Sequence, residues 1–104
     1  MRDYANEYLA AAKAADPYQP DVVPRVYLAD GSSLSIQASP YHYCTPKEAT
    51  GPWSMVEVGF PSKRWNSLSK YRDDWDMPIT ENVFAYVPAH VVNRIIHRAG
   101  GVAK

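Results

Sequence analysis

Apolar and polar positions alternate most clearly between residues 25 and 38. Val26 and Leu28 alternate with Arg25 and Tyr27, and Leu34, Ile36 and Ala38 alternate with Ser33, Ser35 and Gln37. A period of two predicts half-buried strands over 25–29 and 33–38. Asp30-Gly31 lies between them, a hairpin signal that expects positive φ at both central residues. Residues 54–60 predict a third strand, with Val56, Val58 and Phe60 inward, Met55 and Glu57 outward, and Pro61 as its stop. Residues 83–87 predict a fourth.

Two segments change to helical spacing. Residues 3–15 are alanine-rich, with Asp3 as N-cap or first-turn acid and Tyr4, Tyr8, Leu9 and Ala12 on one narrow face. Asp16-Pro17 ends that helix, because the residue before proline is pushed out of the helical region. Near the other terminus Pro88 suits a first turn. Val91, Val92, Ile95, Ile96 and Ala99 then form a wide apolar stripe, opposed by Asn93, Arg94 and Arg98. Gly100-Gly101 supplies a positive-φ stop. A shorter helix is expected from Ser62 to about Tyr71, with Trp65 and Leu68 against the sheet.

These elements define one α+β domain over residues 1–104: an N-terminal helix (1–16), a proline-rich connector (17–24) and a core (25–101). Its sheet is mostly antiparallel, of about four strands. The C-terminal helix is predicted to cover the face made by Val26, Leu28, Leu34, Ile36, Val56 and Val58. Tyr27, Ser33, Ser35, Gln37 and Glu57 line the other face, which is open for binding unless the first helix covers it. Pairing of two copies through an uncovered edge or face is one way for so small a sheet to protect itself.

Composition narrows the classes. Leu, Ile, Val and Phe make up only 20 of 104 residues, but eight Tyr and three Trp supply the burial the aliphatics lack. Eleven cationic side chains balance eleven acidic ones, which disfavours both DNA mimicry and a strongly basic nucleic-acid binder. No run approaches the roughly 20 apolar residues of a spanning helix, and residues 1–20 carry no secretory pattern. A soluble protein of the cytoplasm is expected.

The chemistry-bearing residues form no familiar set. His42 and Cys44 flank Tyr43, but no orienting group or oxyanion site accompanies them, and a packing role for the cysteine is favoured. His42, Cys44, His90 and His97 lack metal-site spacing, so neither metal nor cofactor is expected. His90 and His97 share a helical face with Arg94, a modest anion patch, although His97 and Arg98 also suit a helix C-terminus. Lys63, Arg64, Lys70 and Arg72 interleave with Trp65 and Tyr71, a pattern that suits phosphates and stacked rings. Asp73, Asp74 and Asp76 follow at once, however, and a solvated helix with stems lying over Trp65 is the favoured account of the cluster. Two loops, 39–53 and 71–77, concentrate exposed rings. Trp53 and Trp65 are assigned to the core, and Tyr41, Tyr43 and Trp75 to the surface.

In residues 29–39, His42-Tyr43-Cys44 and residues 56–61, the chain resembles small phage and prophage accessory proteins of the anti-defence, anti-CRISPR-like type. Tyr86-Val87-Pro88, Val91-Val92 and Gly100-Gly101 extend the likeness over about residues 25–101. The resemblance implies a non-enzymatic inhibitor that binds a bacterial defence protein or complex, with no residue roles attached. The expected contacts are then Tyr41, His42, Tyr43, Tyr71 and Trp75. An alternative is a binder that sequesters a nucleotide immune signal, with Lys63, Arg64 or Arg94 on phosphate; another is a virion structural or assembly protein.

Overall fold

A computed structural model describes residues 1–104. Helix α1 (Tyr4–Ala15) is followed by strands β1 (Val26–Tyr27), β2 (Ser33–Gln37) and β3 (Met55–Gly59). Two short 3₁₀ helices (Asn66–Tyr71 and Ile79–Glu81), β4 (Val83–Pro88) and helix α2 (Ala89–Arg98) complete the order. The strands form one antiparallel sheet in the order β1-β2-β3-β4. The α+β expectation therefore holds. No helix is long and apolar enough to cross a membrane.

Local chemistry accounts for the element ends. The Asp3 carboxylate accepts from the Asn6 amide at 3.3 Å and caps α1. Gly100 and Gly101, at φ +90° and +96°, stop α2. Pro88 closes β4 and occupies the N-cap of α2, one position before the expected first turn. The Asp30-Gly31 hairpin is present, but only Gly31 has positive φ (+88°). The Gly31 amide donates to Leu28 O and the Leu28 amide to Ser32 O, so the chain uses a three-residue loop with the glycine in the left-handed position. The Ser32 amide and hydroxyl both donate to the Asp30 carboxylate and fix the turn.

Leu34, Ile36, Val56, Val58, Phe84 and Val87 form the buried sheet face. Val92, Ile95 and Ile96 of α2 and Ala5 and Leu9 of α1 join them in one hydrophobic cluster. Both helices thus lie in a single layer, and the opposite sheet face has no helix over it. Asn93, expected on the solvent side of α2, is instead buried between the helices. Its Oδ1 accepts the Ala5 amide at 2.9 Å and its Nδ2 donates to Asp3 at 3.1 Å. Burying an amide requires such partners, and here they select which side of α2 faces α1.

Phe60 also departs from expectation. Its φ of +47° breaks the strand alternation, and the ring is 53% exposed rather than inward. The predicted helix from Ser62 is shorter, because Ser62 pairs with Ser33 (N–H to O and Oγ from N–H, both 2.8 Å) and caps nothing. Both sheet edges carry added backbone. The C-terminal segment pairs at Leu28↔Val102 along β1, and Arg72↔Phe84 with the Asp73 amide on Val83 O flanks β4.

Candidate functional site

After β3 the chain runs from the hairpin turn across to β4 and builds a wall beside α2. The Ser62–Ser33 bonds pin its start, and Lys63 reaches the Asp30 carboxylate at 2.9 Å. Trp65 packs partly buried against the core, and Leu68 is fully buried within it. Arg72 then pairs with Phe84 and fixes the far end. On α2, His90, Arg94 and Arg98 follow at i, i+4, i+8 and present one stripe toward that wall.

The space between wall and helix is a groove with two lobes. One, of about 480 Å³, is lined by Lys63, Arg64, Trp65, Arg94 and Arg98 among others. The second, of about 520 Å³, is lined by Lys70, Tyr71, Trp75 and His90 with Arg94. Asn66, Ser67, Val91 and Arg94 border both, so Arg94 stands at their junction. Each lobe has the size of a small-molecule site.

The charge of this groove differs sharply from that of the whole chain. Five cationic side chains, Lys63, Arg64, Lys70, Arg94 and Arg98, face one carboxylate, Asp30. Lys63 is paired with Asp30; Arg64, Lys70, Arg94 and Arg98 form no salt bridge. A concave surface of one sign raises the local concentration of the opposite ion. Rings lie beside the cations: Lys70 Nζ is 5.3 Å from the Tyr71 ring centre and the Arg72 guanidinium 3.9 Å from that of Trp75. The Asp30 carboxyl is held well below the usual carboxylate range, first by the Ser32 hydroxyl and then by Lys63 and the Ser32 amide.

The residues singled out from the sequence divide between two places. Lys63, Arg64, Arg94, Tyr71 and Trp75 come together in the groove. His90 joins them, whereas His97 does not line either lobe. Tyr41, His42 and Tyr43 lie instead toward the helix-free sheet face. There the Tyr43 amide donates to Glu57 and its carbonyl accepts the amide of Tyr86, whose φ is +52°. The Tyr43 and Tyr86 rings stand 5.9 Å apart with Lys47 over both. Arg98 and Lys70 join the groove beyond the phosphate contacts expected from the sequence, and the i, i+4 step from Arg94 to Arg98 is the sequence signal for the first of them.

Near this second place, Ser39 Oγ lies 2.7 Å from His42 Nδ1, the separation of a nucleophile and its base. Ser39 is fully buried and its Oγ already accepts the Tyr41 amide. Cys44 is buried too, its thiol donating to the carbonyls of Ser39 and Pro46. These bonds hold the 39–45 turn together. No three His, Cys, Asp or Glu side chains converge as a metal site. Trp53 and Trp65 pack as expected, the first buried and the second partly so.

No family model, curated protein or solved structure matches the chain.

Proposed function

We propose that the chain is a non-catalytic binding protein whose groove takes a phosphate-bearing ligand with flat rings, of the nucleotide class. The observation that carries this reading is Arg94. It stands at the junction of two lobes, without a carboxylate partner, and each lobe has its own aromatic side chain. Phosphate at Arg94 would gain charge-assisted, two-point hydrogen bonds. Rings on either side would stack on Trp65 in one lobe and on Tyr71 or Trp75 in the other. In the setting that the resemblance to phage anti-defence proteins implies, the role is sequestration of a nucleotide signal in the host cytoplasm. Isothermal titration of a panel of mono- and dinucleotides tests it. Binding should weaken with salt and fall about tenfold or more in Arg94→Gln, a charged hydrogen bond being worth about 1.5–3 kcal/mol. Absence of binding across the panel rejects it.

A second reading rests on the helix-free sheet face, where Tyr27, Tyr43 and Tyr86 are all exposed with Tyr41 nearby. Tyrosine-rich surfaces suit protein interfaces, and this face would then dock on a bacterial defence protein and block it. The groove's positive charge gives no support to DNA mimicry. Capture of a partner that is lost on Tyr43→Ala/Tyr86→Ala, but kept in Arg94→Gln, would favour this reading over the first.

A further inference from the structure

A third concavity, remote in chemistry from the cationic groove, lies between α1, the proline-rich connector and residues 49–53. Its volume is about 590 Å³, and its walls are made largely of Ala10, Ala14, Pro17, Pro20 and Pro52 over the Trp53 indole. The alanines that make α1 a weak packing helix leave this space unfilled. The walls are fixed. Asn6 binds both the amide and the carbonyl of Trp53, at 2.7 and 2.9 Å, and seams the helix to the loop. Gly51 lies so close to that ring that an added Cβ would sit 2.7 Å from it.

One charge lines this apolar space. The Lys13 ammonium lies 5.5 Å from the Trp53 ring centre and donates to the Pro20 carbonyl, with no carboxylate in salt-bridge range. An ammonium has three donors, so hydrogen-bonding capacity remains. Burial holds its pKa below the usual lysine range, against the opposing effects of Asp21 and Cys44. A half-buried cation set in apolar walls, with Asp21 near but outside salt-bridge range, keeps unused capacity to bind a carboxylate.

We infer that this cleft is a binding site for a small amphipathic monocarboxylic acid, its carboxylate on Lys13 and its apolar body against the alanine and proline walls. The site is independent of the groove and of any nucleotide.

Titration of the ¹⁵N-labelled protein with octanoate and phenylacetate, and with the corresponding amides, tests the inference. The Trp53 indole resonance should shift saturably with both acids, and each acid should bind at least about tenfold more tightly than its amide. Lys13→Met keeps the apolar stem and should remove that preference, while Lys13→Arg should retain it. Equal binding of acid and amide, acid binding unchanged in Lys13→Met, or no shift of Trp53 at millimolar acid would each overturn the assignment.

Discussion

The guanidinium of Arg72 lies 3.9 Å from the ring centre of Trp75, and its Nε–H is buried without an acceptor. Stacking thus holds a side chain whose hydrogen bonding is incomplete, and it fixes the ring at one end of the groove. Arg72→Met removes a cation–π contact of roughly 0.5–2 kcal/mol and a buried unpaired donor costing about 1–3 kcal/mol. The expected result in urea unfolding is a stability within about 1 kcal/mol of wild type, with a more mobile Trp75. A loss of several kcal/mol would show that Arg72 has a partner that the stacking geometry does not reveal.

Asn93→Ala leaves the Ala5 amide buried without its acceptor and removes a donor from Asp3. The expected cost is about 1–3 kcal/mol, or a fall in melting temperature of about 4–8 °C per kcal/mol for a domain of this size. Calorimetry of the variant checks it. An unchanged melting temperature would mean that α1 docks without this bond.

Phe60 has φ +47° with its ring about half in solvent, so the backbone is strained at a side chain that packs only in part. The left-handed region costs an ordinary residue roughly 1–2 kcal/mol. Relief of that strain is offset by the added chain entropy of glycine and by the lost partial burial of the ring, so Phe60→Gly should keep its stability within about 1 kcal/mol of wild type, with a urea midpoint close to the wild-type value. A fall in the midpoint would show that the ring contributes more to packing than its exposure indicates.

Asp30 sets a pH dependence. Its folded-state pKa is depressed, mainly by the Ser32 hydroxyl and then by Lys63. Its contribution is therefore complete above the unfolded carboxylate value of about 4, and is lost as pH falls through the lower folded value. Thermal melts of wild type and Asp30→Asn should differ near neutral pH and converge toward strongly acidic pH. A constant difference at all pH values would contradict the assignment.

The sheet was legible because its signals are local: alternation at Leu34 and Ile36, a glycine at the hairpin turn, the apolar stripe of α2. Where the sequence reading failed, a distant partner decided. Asn93 looks like a solvent residue until Ala5 and Asp3 are brought to it, and Phe60 points outward because of a backbone turn that alternation cannot encode. The candidate groove was half legible. Lys63 and Arg64 were visible beside Trp65, and Arg94 was visible on α2. That Arg94 stands between Trp65 and Trp75 follows only from Leu68 anchoring the 62–73 wall in the core. Asp73, Asp74 and Asp76, which follow the basic cluster directly in the sequence, are not among the residues that line the groove.

Three tryptophans in three environments make the central claim measurable in one experiment. In a ¹H–¹⁵N titration with a dinucleotide, the indole resonances of Trp65 and Trp75 should shift together and saturate, while that of buried Trp53 stays in place. Arg94→Gln should abolish both shifts at the same ligand concentration. Shifts confined to Tyr27, Tyr43 and Tyr86 on the helix-free sheet face, or none at all, would contradict the account.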